Sequence, residues 1–254
     1  METWAQNQSV IAWLAVTTGV AAIAYALLVV NAWLRYGRID GRPVEENTDP
    51  LLDRFLREYE VRERHHIEVE APAVITYEVA CTADLTSSGT IRAIFRLREW
   101  ILGAAHHEKK EDDHAGLVAQ AKAQGWGVLS EIPGRAIVMG AVTQPWAKNV
   151  AFRAISPEHF STFREPGYMK VLWTLRVDPQ GPRHSVHSTE TRACATDVTA
   201  RTKFRRYWAF FSPGIVLIRQ IAIRLVKAEA QRAAQSHSTA GFFTRLKARA
   251  AYRH

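Results

Sequence analysis

The sequence predicts an α+β fold in which a curved antiparallel sheet grips one long C-terminal helix, with one transmembrane helix ahead of it. Three observations carry this expectation. Residues 168–195 alternate like two successive strands and run straight into a long, basic helical pattern. Residues 10–34 form an apolar run without a charge. Between them helical patterns come first and strand patterns follow, the order of an α+β domain rather than of repeated βαβ units.

At 254 residues with 47% hydrophobic content, the chain can build one substantial domain plus appendages and is not disordered throughout. Its net charge of +8 is uneven. From Asp197 onward twelve cations face only Asp197 and Glu229, so the rest of the chain is slightly acidic. A basic end on a near-neutral body suits an anionic surface, phospholipid or nucleic acid, or else a solvated helix face. Cys81 and Cys194 are too few for a disulfide scaffold and read as small core residues.

Residues 10–34 span about 37 Å as a helix, against a bilayer core of about 30 Å. Trp13 and Trp33 stand near its ends, where indoles favour the interface. The segment before it has no Lys or Arg and the run exceeds an ordinary signal-peptide core, so an uncleaved anchor is expected. Arg35, Arg38 and Arg42 follow at once, which places the C-terminal side in the cytoplasm.

Residues 35–50 read as a polar linker. A short helix is expected over 51–63 from Leu51, Leu52, Phe55, Leu56 and Tyr59, and a first strand over 65–72. Two helical patterns follow, the second with Ile91, Ile94, Phe95, Leu97 and Ile101 at mixed spacing of three and four. His106, His107 and His114 lie in the polar run HHEKKEDDH, read as a solvated loop because adjacent histidines cannot both reach one ion from regular structure; no metal site is expected. A helix near 115–124 precedes three strand patterns, a Pro133-Gly134 turn among them, and a short helix capped by Ser156 with Pro157 in its first turn.

In the pair of strands after Gly167, Val171, Trp173, Leu175 and Val177 share a face, with Lys170, Thr174 and Arg176 on the other. A Pro179–Pro182 turn leads to a strand with Glu190 and Arg192 on one face and His187, Thr189 and Thr191 on the other. Asp197 caps the last helix, which is expected to break at Ser212-Pro213-Gly214 and kink. Phe204, Trp208 and Phe211 form its expected buried stripe, with Arg205 and Arg206 pointing out. Arg219 and Arg224 argue against a second membrane span there.

The order of elements, with SPEHFSTFREPGYMKVLWTLRV, STETRACATDVTARTKFRRYWAFF and SPGIVLIRQIAIRLVKAEA, resembles the SRPBCC or START-like helix-grip superfamily over residues 65–231. That resemblance implies a cavity between the sheet and the C-terminal helix for a hydrophobic small molecule or lipid. Within it Tyr168, Trp173, Glu190, Arg192, Tyr207 and Trp208 are the expected ligand contacts. Glu190 is a weak candidate for general acid or base should the cavity serve a cyclase- or hydratase-like reaction. The aromatics can equally be core, and Glu190 with Arg192 an ordinary ion pair.

The tail places Phe242, Phe243 and Leu246 to one side and Arg245, Lys247, Arg249 and Arg253 around the rest, the pattern of an element lying on anionic lipid. No nucleic-acid module accompanies these charges, no P-loop or nucleophile elbow is present, and no cofactor is expected. The expected division is an extracytoplasmic start (1–9), transmembrane helix (10–34), linker (35–50), helix-grip domain (51–234) and basic amphipathic or disordered tail (235–254). Binding without turnover, catalysis in the same cavity, and a membrane-tethered interaction module remain open on this reading. The sequence does not specify an oligomeric state.

Overall fold

A computed structural model describes residues 2–36, 49–102 and 116–251, without the side chains of 2–10, 86, 100 and 237–251. Much of the linker expected at 35–50 and the HHEKKEDDH segment lie outside the described residues. So do the side chains of Arg245, Lys247 and Arg249, and Arg253 altogether.

The fold is α+β: a curved, six-stranded antiparallel sheet with a long C-terminal helix packed on it and an apolar helix at the N-terminus. Helix α1 runs Glu2–Arg35. Helix α2 is a single turn, Pro50–Asp53, capped by Asp49, whose Oδ1 accepts from the Leu51 amide at 3.0 Å. Strand β1 (Val61–Val69) precedes helices α3 (Ala73–Thr82), α4 (Gly89–Leu102) and α5 (Leu117–Ala123). Strands β2 (Gly127–Ile132), β3 (Ala136–Thr143) and β4 (Phe152–Arg153) follow, then α6 (Pro157–Phe160), β5 (Met169–Gly181), β6 (His184–Ala195) and α7 (Val198–Ala251). The sheet order is β1-β6-β5-β3-β2, with β4 paired to the end of β3.

The helix expected over 51–63 shrinks to α2, and the first strand begins four residues earlier than the expected 65. The reason is non-local. Val61 to Val69 pair residue for residue with Ala193 to Ser185, which satisfies the backbone along a nine-residue strand and outweighs a local helical preference. Ser156 also differs from expectation: it makes no cap to the α6 backbone and its hydroxyl instead pairs with His159 Nδ1 at 2.9 Å.

Both faces of the sheet are covered. On the outer face Leu172, Val138 and Leu129 pack against Phe160 and against Leu52, Phe55 and Leu56 from the segment at and after α2. On the inner face Ile137, Met139 and Leu175 meet α3, α5 and Val226 of α7, while Val61, Met169 and Ala193 meet Phe204. Each fully buried side chain of this size stabilises the fold by roughly 1.5–3 kcal/mol. Tight inner packing needs glycine at one turn: at Gly125, where φ is +99°, an added Cβ would stand 2.2 Å from Phe152 O.

Asp197 begins α7 as expected, its Oδ1 accepting from the Ala200 amide at 2.8 Å while its other oxygen holds the Gly167 amide. Contrary to expectation, the helix is not interrupted at Ser212. Pro213 lies inside it, and the lost backbone bond is offset by packing on both sides, with Ser212 buried and α4 against Gly214. Two helices, 11–35 and 198–236, are long and apolar enough to cross a membrane. The second buries Ala200, Phe204, Ala209, Ile223, Val226 and Ala230 within the domain.

Candidate functional site

Alternation along β1 puts Val61, Glu63 and His65 on the inner face, opposite Ala193, Thr191 and Thr189 of β6. Helix α7 crosses above and brings Arg219 to them. The result is a polar patch in a largely apolar interior. Burial holds the Glu63 carboxyl above its ordinary range, and Arg219 works against that rise. Burial draws the Arg219 guanidinium down to about 10, opposed by Glu63. His65 is pushed down by burial first, then by Arg219 and His66. Each shift therefore starts from the same cause, poor access to water.

Partnering is incomplete here. Tyr36 Oη, His65 Nε2, Thr191 Oγ1, Arg205 Nε and Arg219 Nε are buried without a hydrogen-bond partner, and among the described residues they are the only such side-chain atoms. All lie along the seam of α1, β1, β6 and α7. Buried polar atoms left unpaired cost about 1–3 kcal/mol each, so their confinement to one seam asks for a reason.

That seam contains a groove of about 610 Å³. Its walls are Leu28, Ala32 and Tyr36 of α1 and its end, Val61 of β1, and Trp208, Pro213, Val216 and Leu217 of α7; Asn31, Ser212 and Gln220 add polar points, and Arg35, Glu60, Arg62 and Glu63 add charged ones. Helix α1 forms a wall because specific contacts hold it there. Tyr25 Oη donates to Phe210 O at 2.5 Å, Arg205 donates to Trp33 O at 3.1 Å, and its guanidinium stacks 4.2 Å from the Trp33 ring. Arg205 thus turns toward α1 instead of outward.

The residues singled out from the sequence do not gather in one place. Trp208 lines the groove. Tyr207 lies beside it on α7, its hydroxyl accepting from Arg98 Nε at 3.2 Å. Trp173 is on the inner face but packs with Trp126, 6.1 Å between centroids, in the cluster under α3 and α5. Tyr168 sits at the start of β5 with Phe163, both rings under the Arg153 guanidinium.

Glu190 and Arg192 are on the outer face, away from α7, and so do not wall a cavity between sheet and helix. The cause is register: Arg192 stands opposite Leu172, whose side chain packs outward on Phe160 and Leu52. Glu190 accepts from Arg62 at 2.9 Å and from Arg192 at 2.7 Å, with Arg64 at 3.9 Å. Arg192, 1% exposed, also donates to Leu56 O at 3.0 Å, pairs with Asp53 and lies 4.8 Å from the Tyr59 ring centroid. Burial opposes its charge, yet Asp53 and Glu190 together hold its pKa above the usual value. This network ties the segment after α2 to the sheet. Beside it lies a polar pit of about 290 Å³ lined by Arg64, Thr174, Arg176, Asp178 and Glu190.

Glu63, His65 and Arg219 were not singled out from the sequence. The signal was available in VRERHHIEV, where a glutamate and a histidine alternate with Val61, Ile67 and Val69 on the apolar side of a strand. Reading 51–63 as helix hid it. Among the described residues no group of three or more His, Cys, Asp or Glu could hold a metal ion.

Fold and groove together define a class: an α+β domain with its long C-terminal helix on a curved antiparallel sheet, and an N-terminal apolar helix walling a groove. No family model and no curated protein matches the chain. Among solved structures it is similar to protein CV1439 from Chromobacterium violaceum at 12% identity, over 67% of this chain and 96% of that one, with a TM-score of 0.27. CalU16 from Micromonospora echinospora matches at 13% identity over 69% of this chain and 86% of its own, with a TM-score of 0.24. The Zhui aromatase/cyclase from Streptomyces sp. R1128 matches at 16% over 68% and 94%, with a TM-score of 0.27. At these scores the likeness carries no argument about function.

Proposed function

We propose that this chain is a membrane-anchored START-like domain on the cytoplasmic side that holds a lipid or another hydrophobic small molecule without transforming it. The groove of about 610 Å³ carries the reading. Its volume suits a small ligand, its aliphatic and aromatic wall is interrupted by polar and charged side chains, and the unpartnered Tyr36 hydroxyl lines it for an oxygen-bearing end. One wall is the C-terminal third of α1, part of which lies within the proposed span 10–34, so the groove would open at the cytoplasmic leaflet and a ligand can enter sideways from lipid. Arg35, Arg38 and Arg42 support the cytoplasmic placement. On this reading residues 10–34 span, 51–234 form the binding domain, and 235–254 rest against acidic headgroups.

Native mass spectrometry of the full-length protein, extracted from its own host in mild detergent, tests the reading. A co-purified apolar molecule is expected, and Leu28→Trp, which fills the groove, is expected to lose it. Recovery of only unliganded protein, or equal retention in the variant, overturns it. Orientation is checked separately with reporter fusions at both termini; a C-terminus on the outer side refutes the cytoplasmic placement.

A second reading, catalysis in the groove, rests on Glu63, a groove-lining carboxyl that burial holds above its usual range. Glu63→Gln separates the two: a catalyst loses turnover of the bound molecule and keeps it bound, whereas a carrier shows no turnover in either form.

A further inference from the structure

Outside α1, the large apolar side chains left exposed among the described residues include Val74, Ile132 and Val198, which stand apart, and a group on two neighbouring helices: Phe95, Leu97 and Ile101 on α4, Phe210 and Leu217 on α7. Helix α4 is seated by Ile91, which is fully buried, and by Ile94, whose Cγ2 lies 3.3 Å from where a Gly214 Cβ would stand. Arg98 fixes it further, donating to Tyr207 Oη at 3.2 Å and Pro145 O at 3.3 Å. Ala93, Leu97 and Ile101 recur at intervals of four, which places them on one flank of the helix. Helix α7 does not cover that flank: Leu97 is 55% exposed and Ile101 40%, and Phe95 is 46% exposed on the other side. The apolar face of α4 is thus wider than its seat on α7.

We infer that α4 is a second membrane contact, its uncovered flank immersed in the cytoplasmic leaflet of an anionic bilayer beside the C-terminal half of α1. This rests on the reading of α1 as a membrane anchor. Three observations choose lipid as the occupant. Helices α1 and α4 both touch α7 within residues 207–214, through Phe210 and Tyr25 on one side and through Tyr207 and Gly214 on the other. A bilayer spanned by α1 is therefore already at hand, and no encounter in solution is needed. Besides the inward-turned Arg98, helix α4 carries Arg92 and Arg96 against a single Glu99. An apolar flank bordered by arginines is the pattern of a helix lying in the headgroup region of acidic lipid. Seated this way, α4 and α1 would hold the domain at two points and fix the groove mouth against the bilayer.

The test uses the full-length protein with Cys81 and Cys194 replaced by serine, reconstituted into phosphatidylcholine vesicles containing phosphatidylglycerol. Spin labels are placed singly at Leu97→Cys on α4, Val20→Cys on α1 and Val74→Cys on α3. Labels at 97 and 20 are expected to be more accessible to oxygen than to a water-soluble nickel chelate, and the label at 74 the reverse. Arg96→Glu is expected to lower the immersed population at 97 by about five-fold while leaving the label at 20 unchanged. A water-like label at 97 beside a lipid-like label at 20 overturns the α4 contact and leaves the anchor standing. Water-like labels at both positions overturn the two together. Protection of 97 from both reagents, with or without spin–spin broadening, assigns the flank to a protein partner or a second copy and overturns the inference, as does an unchanged label in Arg96→Glu.

Discussion

The two faces of the sheet bury polar groups in opposite ways. On the outer face Glu190 is met by Arg62, Arg64 and Arg192, and Arg192 by Asp53, Glu190 and Leu56 O. On the inner face Thr191, His65 and Arg219 each keep a buried atom without a hydrogen-bond partner, His65 Nε2 standing 3.8 Å from Glu63 Oε2. Neighbouring residues of one strand, Thr191 and Arg192, thus belong to different regimes. A closed network holds a segment in place, whereas an open one leaves donors and acceptors that another molecule could satisfy. Of the expected ligand contacts, Glu190 and Arg192 fall on the closed side and Trp173 on the open one.

Removing a member of the closed network tests this contrast most severely. Glu190→Ala leaves the deeply buried Arg192 with one carboxylate fewer and is expected to cost about 3–5 kcal/mol, read from denaturant unfolding followed by tryptophan fluorescence. A loss below about 1 kcal/mol would mean that the outer network is not what holds the segment after α2.

Acid should act through the inner face. His187 is 2% exposed there, and burial lowers its pKa from 6.5 to about 4, only partly opposed by its bond to Arg176 O. Because the folded value lies below the unfolded one, protonation favours the unfolded chain. Its contribution is whole above pH 6.5, falls as pH drops through that value, and levels off below about 4, a loss on the order of 3 kcal/mol. Glu63, held high by burial, works in the opposite sense above its ordinary range. Comparison with His187→Asn therefore isolates the histidine, and an equal slope of stability against pH in the variant would refute this assignment.

Thr191→Val sharpens the contrast from the other side. Replacing an unpartnered buried hydroxyl with a methyl of similar shape is expected to leave stability unchanged or raise it by up to about 1 kcal/mol, measured as a shift in the denaturant midpoint. A loss above 1 kcal/mol would show that the hydroxyl is satisfied after all. The smallest effect belongs to neither face: Glu165→Gln breaks an ion pair with Arg153 that is 47% exposed at both ends, and should change stability by about 0.5 kcal/mol or less.

Much of the fold was legible because it rests on local signals. The two long strands, the Asp197 cap, the α4 periodicity and the apolar N-terminal run are each written within a few residues. The length of β1 was not, since the pairing of Val61 with Ala193 spans most of the chain and overrides the helical pattern before it. The site was less legible still. Alternation correctly separated Glu190 and Arg192 from His187, Thr189 and Thr191, but period alone does not say which face meets α7. Of the six expected contacts Trp208 lines the groove. Its other wall comes from α1, and no pattern in the sequence announces that a helix able to span a membrane also packs against residues far along the chain.

The contact between Tyr25 and Phe210 joins positions 185 residues apart. During synthesis α1 emerges before the sheet, and its partner on α7 comes only after it. Pairing of Val61 with Ala193 in the sheet shortens the loop that this contact then has to close. The groove is therefore among the last features to exist, completed when an early helix and a late one find each other. A molecule filling it would act as a staple between α1 and α7.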